Sequence, residues 1–282
     1  MILIRSALQF QKTLASDRLR NKKIGFIPTM GALHEGHLSL VRESKKKNDI
    51  TAVSIFVNPT QFGPNEDFKK YPRVLAKDAR LLKREGVEYL FYPTAEEIYP
   101  SDVACSIQID SKRNPWLATS LCGKFRPGHF EGVATVVAKL FNLSGKCAAY
   151  FGEKDWQQTR VIQRLIEDFK FPIQLCVLPT LRESSGLAMS SRNRYLSKSE
   201  KEKAVFFAQV LQRMRVSALA GNSLKRLERV AIRDLRQQGI KPQFVQFVDG
   251  DTLQPLQVKR KQMRVIAACF VGKTRLIDNL MI

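Results

Sequence analysis

Histidine, tryptophan and cysteine are scarce in this sequence, and the cysteines are not paired. The 282 residues include three histidines, two tryptophans and five cysteines. No two cysteines stand in a Cys-x-x-Cys arrangement. An odd number of widely spaced cysteines argues against a disulfide framework and against a structural zinc site. We therefore expect reduced and mostly buried thiols.

Long apolar runs are absent as well. Only residues 1–4 precede the first arginine, Arg5, and this stretch is too short for the apolar core of a signal peptide. No apolar run approaches the length that spans a bilayer. These features predict that the chain does not enter a membrane and that it acts in the cytoplasm.

Acidic residues are few relative to basic ones. The chain has 26 Asp and Glu against 47 Lys and Arg, which gives a formal net charge of +21 at pH 7. Such a surface attracts anions, among them nucleotides, small carboxylates and nucleic acid. Clusters such as residues 45–47 and 259–261 are nevertheless typical of solvated helix ends and loops, and no aromatic-rich RNA-binding signature accompanies them. Specific nucleic-acid binding is therefore not expected.

Short apolar runs alternate with stretches of helical period in the first part of the chain. The runs predict strands at residues 24–28, 51–57, 87–93, 148–151 and 173–178. The periodic stretches predict helices at residues 37–47, 74–85, 133–143 and 156–169. This alternation predicts an α/β fold, a Rossmann-like parallel sheet with helices on both faces. In such a sheet, ligands bind beyond the carboxyl ends of the strands.

The periodicity is lost between residues 179 and 197, which predicts an interdomain loop. The residues after this loop predict a smaller C-terminal α+β domain. Its predicted elements are helices at residues 199–219 and 223–238 and strands at residues 243–248 and 263–271. The predicted domains are therefore residues 1–178 and residues 179–282. A Gly-x-Gly-x-x-Gly fingerprint is missing, so a classical dinucleotide oxidoreductase is disfavoured.

All three histidines lie in polar, glycine-containing segments. His34 and His37 follow the first long predicted strand, and a helix that begins there would place both on one face. The N-terminus of a helix favours phosphate, and neutral imidazoles can donate hydrogen bonds to a phosphate as its charge grows. This pattern favours nucleotidyl transfer. A zinc site is less well supported, since a metalloprotease helix carries its histidines at i and i+4.

Two other segments could contact the same phosphates. Lys154 follows a predicted strand end, where its ammonium would face phosphate while Asp155 caps the next helix. Residues 189–193, Met-Ser-Ser-Arg-Asn, supply two hydroxyls and a guanidinium that could clamp the α- and β-phosphates. Taken alone, this second segment could equally be a serine-rich turn.

Amide side chains follow the second predicted strand, residues 51–57. Asn58, Gln61 and Asn65 suit the hydroxyl and carboxylate groups of a small polar substrate. Because this segment also follows a strand end, it belongs to the edge of the sheet where ligands are expected. The sequence thus predicts one ligand crevice to which several loops contribute.

In this order and at these spacings, the segments resemble the pantothenate synthetase family, ligases that join pantoate to β-alanine. The matching segments are residues 28–37, 53–59, 61–67, 71–73, 126–130, 152–155, 157–158, 186–193 and 275–279. The resemblance covers nearly the whole chain, and the motifs are highly specific when taken together. The His34-x-Gly-His37 element alone would indicate only a superfamily that also contains class I aminoacyl-tRNA synthetases and cytidylyltransferases.

The resemblance implies an AMP-forming ligase of coenzyme A biosynthesis. Pantoate would attack the α-phosphate of ATP to give pantoyl adenylate and pyrophosphate, and the amine of β-alanine would then release AMP to form pantothenate. ATP as substrate, Mg²⁺ as cofactor and a homodimer are also implied, with residues 1–178 binding ATP and pantoate and residues 179–282 acting as a lid. The alternatives are another small-acid adenylyl- or cytidylyltransferase of the superfamily and a basic binding module that has lost activity.

The resemblance also implies roles for individual residues. The catalytic residues would be His34, His37, Lys154 and Arg192. ATP would be bound by these four together with Met30, Gly152, Asp155, Met189, Ser190 and Ser191. Pantoate would be bound by Gln61 and Gln158, with Met30 on its apolar side. Asp78 would lie on the magnesium side, and Arg126 and His129 would brace the site.

Three departures from the family pattern lie near these segments. Ser185 stands where an aspartate usually precedes the Gly-Leu-Ala run. Cys122 stands where an acidic residue commonly precedes the Arg-Pro-Gly-His segment. Residues 145–147, Gly-Lys-Cys, replace the usual Pro-Asp before the Gly-Glu-Lys-Asp segment. Because all three lie beside the predicted site residues, we expect them to affect loop dynamics and affinity more than the reaction.

Overall fold

The computed structural model describes residues 1–64 and 66–282. Asn65, one of the amide residues expected to suit a polar substrate, lies outside the described residues. The chain divides into two compact units. The first comprises Met1–Ile109, Arg126–Glu153 and Val161–Pro179, and the second comprises Asp110–Phe125, Lys154–Arg160 and Thr180–Ile282.

A parallel sheet forms the centre of the first unit. Its strands, within the described residues, are β1 Ile2–Ile4, β2 Ile24–Thr29, β3 Ile50–Ile55, β4 Tyr89–Phe91, β5 Cys147–Gly152 and β6 Ile173–Leu178. They lie in the order β1-β4-β3-β2-β5-β6, and every neighbouring pair is parallel. The predicted Rossmann-like fold class is thus confirmed. The sequence does not predict β1, because so short an apolar run shows no clear period.

The strand order reverses beside β2. From β2 the chain proceeds to β3 and β4 on one side, and it later places β5 against the other side, where Gly25 and Phe26 form the pairing. The crevice at such a reversal is where open parallel sheets bind their ligands. In the chain, His34 follows the carboxyl end of β2 and Lys154 follows that of β5.

Helices cover both faces of this sheet. The helices of the described residues are α1 Ala7–Leu19, α2 Glu35–Lys47, α3 Leu75–Arg84, α4 Ala95–Ile98, α5 Cys122–Phe125, α6 His129–Ser144, α7 Trp156–Phe169, α8 Lys198–Leu219 and α9 Leu224–Gln237. On one face, Phe10 of α1 and Phe141 of α6 pack with Phe26 of β2. On the other face, Val41 of α2 packs with Ile27 of β2. Successive strand residues point to opposite faces, so Phe26 and Ile27 supply both cores.

The predicted helices of the first part of the chain are present as α2, α3, α6 and α7, whereas the sequence does not predict α1. The buried side of α1 consists of Phe10, Leu14 and Asp17. With only two apolar residues on its inner face, this helix shows a weak hydrophobic period. None of the helices in the described ranges combines the length and apolar composition that a bilayer crossing requires.

The second unit contains a small antiparallel sheet and two long helices, α8 and α9. The strands are β7 Lys241–Asp249, β8 Met263–Val271 and β9 Thr274–Met281, paired in that order. Helix α8 begins at a capping box, in which the Ser197 hydroxyl accepts the Glu200 amide and the Glu200 carboxylate accepts the Ser197 amide. The predicted helices and strands are present. The sequence does not predict β9, because Asp278 and Asn279 interrupt its apolar pattern.

The start of α7 belongs to the second unit, although the sequence places it in the first domain. Trp156 Nε1 donates to the carbonyl of Gly250 at 2.7 Å, and Arg160 forms an ion pair with Asp251 at 3.1 Å. These contacts attach α7 to the turn that follows β7. The Pro179–Thr180 boundary lies next to the predicted division at residues 178 and 179. The roles predicted for the two domains stay predictions.

Burial protects several of the thiols. Cys122, Cys147 and Cys269 are buried. Burial raises the pKa of the Cys147 thiol to about 11 and that of the Cys269 thiol to about 12. Both groups therefore stay protonated and unreactive at neutral pH.

Candidate active site

Two imidazoles take the place of the usual capping side chains at the start of α2. His34 is the N-cap residue, and its Nδ1 accepts the Gly36 amide at 3.1 Å. The His34 amide in turn donates to Nδ1 of His37 at 3.4 Å, which completes a capping box. The ring centroids of the two histidines lie 4.1 Å apart. The structure thus brings the two imidazoles together at a helix N-terminus.

The capping box determines which ring nitrogen faces a ligand as a donor. Because Nδ1 of each ring accepts a backbone N–H, the ring proton lies on Nε2. Each neutral ring therefore offers an Nε2–H donor at the N-terminus of α2, where free amides and the helix dipole favour an anion. The pair can donate two hydrogen bonds to a phosphate without carrying a charge.

A buried carboxylate holds the loop that presents these imidazoles. Gly31 and Ala32 lie in the left-handed region, with φ of 81° and 53°, and this conformation is strained for alanine. Asp78 of α3 is only 1% exposed and accepts the amides of Ala32 at 2.8 Å and Leu33 at 2.9 Å. Charge-assisted hydrogen bonds on both carboxylate oxygens fix this backbone conformation. The arrangement supports a positioning role for Asp78 more than the predicted magnesium contact.

A cavity of about 170 Å³ opens beside the same loop. Its lining is mostly apolar and includes Met30, Phe56, Phe68, Arg73, Asp78 and Tyr92. The guanidinium of Arg73 is held over the ring of Phe68, with 5.2 Å between its central carbon and the ring centroid. The wall of this mostly apolar cavity thus carries one cation, Arg73, and one carboxylate, Asp78.

Gln61, predicted to bind pantoate, is held by hydrogen bonds within the first unit. It is buried at the end of a short 3-10 turn, Pro59–Gln61. Asn58 Nδ2 donates to the side-chain oxygen of Gln61 at 3.1 Å, and Nε2 of Gln61 lies 3.0 Å from Sδ of Met30. Tyr99 donates its hydroxyl to Oδ1 of Asn58 at 2.9 Å, which orients that amide. The structure therefore brings Gln61 and Met30 together.

Arg126 and His129 brace the backbone of Gln61. His129 Nδ1 donates to the Gln61 carbonyl at 2.8 Å, and its Nε2 accepts from Arg126 at 2.8 Å. Arg126 also donates two hydrogen bonds of 2.6 Å to the carboxylate of Glu66. Burial disfavours the charge of Glu66, but the hydrogen bonds and charge of Arg126 outweigh it and hold the pKa of that carboxyl below its usual range. These contacts support the predicted bracing role.

Sequence reasoning did not single out three residues of this network. Glu66 lies inside the matching segment 61–67, and a carboxylate there is the natural partner for Arg126. Tyr99 belongs to no motif, and only the fold brings its hydroxyl to the Asn58 amide. Gly132 of α6 is likewise unmarked in the sequence, yet it allows the helix to approach the turn that carries Gln61.

Replacing Gly132 with alanine is expected to displace that turn. A Cβ at Gly132 would lie 2.3 Å from the carbonyl oxygen of Thr60, so the turn or the helix has to shift. If Gln61 binds pantoate, as the resemblance implies, the loss of one well-placed hydrogen bond should raise the KM for pantoate by roughly 10-fold in steady-state kinetics. Gly63→Ala is the control, because its Cβ would meet nothing closer than Glu66 Cγ at 3.7 Å. An unchanged KM in Gly132→Ala would contradict the role of Gln61.

Lys154 and Asp155 lie in a 3-10 turn that directly follows β5. Lys154 Nζ is 3.8 Å from Asp155 Oδ2, a long contact that an incoming phosphate can replace. Gly152 ends β5, and a Cβ there would meet nothing within 4 Å, so open space adjoins its backbone. Gln158 is half-buried on α7.

Gln157, the neighbour of Gln158, is a structural residue of the second unit. Its side-chain oxygen accepts the Cys122 amide at 3.0 Å, and its nitrogen donates to the carbonyls of Leu117 and Ser120, both at 3.0 Å. Sγ of Cys122 lies 3.3 Å from a guanidinium nitrogen of Arg275. At the position where the family pattern has an acidic residue, a thiol therefore faces the arginine.

A short hairpin precedes the Ser-Ser-Arg loop in the second unit. Arg182 and Ala188 form an antiparallel bridge, and the Met189 amide donates to the carbonyl of Leu181 at 3.0 Å. Ser185, the second departure from the family pattern, is exposed in the turn of this hairpin. The substitution therefore falls on a solvent-facing position and leaves the bridge intact.

The Ser-Ser-Arg loop is itself a 3-10 turn, Ser191–Tyr195. The hydroxyl of Ser190 caps it by accepting the Arg192 amide at 3.3 Å. Asn193 donates from Nδ2 to the carbonyl of Ala188 at 3.1 Å, which ties the turn to the hairpin. The loop that carries two hydroxyls and a guanidinium is thus held by hydrogen bonds between its side chains and nearby backbone groups.

The predicted site residues are divided between the two units. The first unit contains Met30, His34, His37, Gln61, Asp78 and Gly152. The second unit contains Lys154, Asp155, Gln158, Met189, Ser190, Ser191 and Arg192. Their assignment to ATP and pantoate stays a prediction.

A family model described as pantoate-beta-alanine ligase matches residues 2–281. The chain belongs to the pantoate–β-alanine ligase family. A pantothenate synthetase from a Sulfurihydrogenibium species is 47% identical to it over 99% of both chains. Another from a Thermoanaerobacter species is 45% identical over 100% of this chain and 98% of the relative. The resemblance seen in the sequence motifs is therefore confirmed.

Solved structures of pantoate–β-alanine ligases have the same fold. The pantothenate synthetase of Thermus thermophilus matches with a TM-score of 0.92 and 41% identity over 99% of both chains. The pantoate-beta-alanine ligase of Francisella tularensis, complexed with beta-gamma ATP and beta-alanine, matches with a TM-score of 0.82 and 37% identity over 100% of this chain and 97% of that chain. The prediction of a ligase of this family is confirmed, and the alternative of another small-acid nucleotidyltransferase is not favoured.

Proposed function

We propose that the chain condenses pantoate with β-alanine at the expense of ATP, through a pantoyl-adenylate intermediate. Membership of the pantoate–β-alanine ligase family points to the substrates. The observation that carries the chemistry is the capping box of His34 and His37, which directs two neutral N–H donors to the N-terminus of α2. Membership of a ligase family argues against a binding module without activity.

In the first step, a carboxylate oxygen of pantoate attacks the α-phosphorus of ATP. The bond from that phosphorus to the bridging oxygen breaks, and pyrophosphate leaves with the electron pair. The Nε2–H groups of His34 and His37 donate to phosphate oxygens as their charge grows. Lys154 and Arg192 offset the charge of the pyrophosphate, and the hydroxyls of Ser190 and Ser191 donate hydrogen bonds to it. Gly152, Asp155 and Met189 line the nucleoside. Gln61, Gln158 and Met30 orient pantoate, so that positioning supplies much of the rate.

In the second step, the uncharged amine of β-alanine attacks the acyl carbon of the mixed anhydride. The bond from that carbon to the phosphate oxygen breaks, AMP leaves, and the nitrogen gives up one proton. We assign His37 as the acceptor of this proton. Because Nε2 already carries a hydrogen, Nδ1 is the receiving atom. The ring therefore has to release the 3.4 Å hydrogen bond from the His34 amide and turn Nδ1 toward the amine before the proton is transferred.

The described residues do not form a metal site of their own. Within them, no three His, Cys, Asp or Glu side chains group where they could hold an ion. Both oxygens of Asp78 accept backbone amides. Mg²⁺ binds nucleotides through phosphate oxygens and keeps several of its waters. We therefore propose that Mg²⁺ enters as part of the substrate, Mg-ATP.

A coupled pyrophosphate-release assay tests the proposed reaction. With Mg-ATP and pantoate alone, we expect a single turnover, because the adenylate stays bound without an acceptor. Addition of β-alanine should give continuous turnover, with AMP and pantothenate formed in equal amounts. If pyrophosphate release does not depend on pantoate but is stimulated by another small acid, the result would favour a different transferase of the superfamily.

We also propose that the chain forms a homodimer and works in the cytoplasm. The family resemblance supports the dimer, and membership of a biosynthetic family supports the location. Light scattering after size exclusion should give twice the 32.1 kDa mass of the chain. A mass of one chain at micromolar concentration would contradict the dimer.

A further inference from the structure

Two polar residues lie buried side by side on β9. Asp278 and Asn279 are 2% and 3% exposed, and they follow four residues that alternate between buried and half-buried. Burial of a carboxylate and an amide is costly unless hydrogen bonds compensate for the lost water. Neither residue has a role in the proposed function, although both fall in the matching segment 275–279.

Asp278 holds the hairpin that leads into the Ser-Ser-Arg loop. Its carboxylate accepts two hydrogen bonds from the guanidinium of Arg182, at 2.7 and 2.9 Å. The same guanidinium donates to the carbonyl of Gly186 at 3.0 Å, across the turn of the hairpin. Paired hydrogen bonds of this type fix orientation as well as distance. Asp278 therefore sets the direction in which the chain enters residues 189–192.

Asn279 holds the backbone of Lys154. Its Nδ2 donates to the Lys154 carbonyl at 2.9 Å, and its Oδ1 accepts from Arg264 at 2.7 Å. The guanidinium of Arg264 lies over the Trp156 ring, with its carbon 3.5 Å from the ring centroid. The amide of Asn279 is thus fixed at both ends, and the Lys154 turn is attached to β9.

We propose that Asp278 and Asn279 are a positioning pair for the phosphate-binding groups of the second unit. One member orients the loop of Ser190, Ser191 and Arg192, and its neighbour on the strand orients Lys154. Because the two are adjacent on one strand, the backbone that carries the Lys154 side chain and the loop keep a fixed separation from each other. This inference rests on the proposed function, in which these groups bind the triphosphate. Asp278 and Asn279 act through them and do not touch the substrate.

A double-mutant cycle tests the link between Asn279 and Lys154. In Asn279→Asp the carboxylate keeps an acceptor for Arg264 but has no N–H for the Lys154 carbonyl. We expect kcat for pantoate-dependent exchange of pyrophosphate into ATP to fall by roughly 10-fold to 100-fold, with the KM for pantoate unchanged. In a Lys154→Ala background, the same replacement should change kcat by less than about 2-fold, because the group it positions is gone.

The outcome that overturns the proposal is an equal loss in both backgrounds, since a general weakening of the fold acts independently of Lys154. Asn279→Ala provides a second donor-free variant and should give the same coupling. Asn222→Ala is the matched control. It removes an amide-to-carbonyl hydrogen bond of 3.0 Å to Ser217 in the same unit, and it should keep the wild-type rate.

Asp278→Asn, combined with Arg192→Ala, tests the other member of the pair in the same way. The amide has the shape of the carboxylate but cannot accept both hydrogen bonds from Arg182. Loss of kcat that disappears in the Arg192→Ala background supports the proposal, and loss that persists there overturns it.

Both cycles can be repeated with the affinity for ATP, measured by calorimetry, in place of kcat. These measurements separate this inference from the proposed function. If the wild type binds ATP but exchanges no pyrophosphate with pantoate, the proposed function fails, and coupling in ATP affinity still decides the inference. If exchange is normal and both cycles are additive, only the inference fails. A wild type that binds no ATP overturns both.

Discussion

Replacement of His37 by alanine is expected to lower the rate of pantoate-dependent pyrophosphate release by roughly 10²-fold or more, as loss of a preorganised transition-state donor does. The reason lies in the capping box: Nδ1 of His34 and of His37 accepts a backbone amide, so the Nε2–H of each ring is the donor that the proposed mechanism assigns to phosphate. The same loss is expected for His34→Ala and for Lys154→Ala. Single-turnover kinetics of adenylate formation provide the measurement.

His37→Glu distinguishes the donor from the cap. Glutamate is a usual third residue of a capping box, so its carboxylate can accept the His34 amide and preserve the start of α2, but it has no N–H to donate. The variant should unfold at the wild-type temperature and remain as slow as His37→Ala. Recovery of the rate in His37→Glu would show that the imidazole matters only for the helix.

Asp78→Ala should lower the rate by a factor similar to that expected for His37→Ala, because the conformation of the loop before His34 depends on this carboxylate. Two charge-assisted hydrogen bonds would be lost, each with a contribution of roughly 1.5–3 kcal/mol, and two buried amides would lose their partner. Ala32 would then leave its left-handed conformation, and a displacement of about 1 Å at the imidazoles is enough to cost roughly 10²-fold in rate. Steady-state kcat and thermal unfolding measure the two effects.

Titration with Mg²⁺ separates this role from the magnesium contact expected from the sequence. If Asp78 positions the loop, kcat of Asp78→Ala should stay low at every Mg²⁺ concentration, with an unchanged half-saturating concentration. If it binds the ion, excess Mg²⁺ should restore much of the rate. The kcat of Asp78→Asn should lie between that of the wild type and that of Asp78→Ala. An amide can accept one of the two backbone N–H groups but turns its own NH₂ toward the other.

Much of the site is visible in the sequence because its residues occur in short motifs. His34 and His37 are three residues apart at a helix start, and Lys154 directly follows a strand. These placements depend on local periodicity and capping, which a single segment contains. Asp78 is different: its neighbours in the chain mark it as an ordinary first-turn residue of α3, and its carboxylate meets amides 46 and 45 residues away.

The sequence alone determined the parallel sheet and the family, because strand and helix periods and contiguous motifs are local properties. It could not indicate β1, α1 or β9, whose apolar patterns are too short or are broken by polar residues. Only the tertiary structure shows which groups form hydrogen bonds with Asp78, Arg126 and Asn279. Their partners lie up to 125 residues away, as with Asn279 and Lys154, and packing brings such groups within hydrogen-bonding distance.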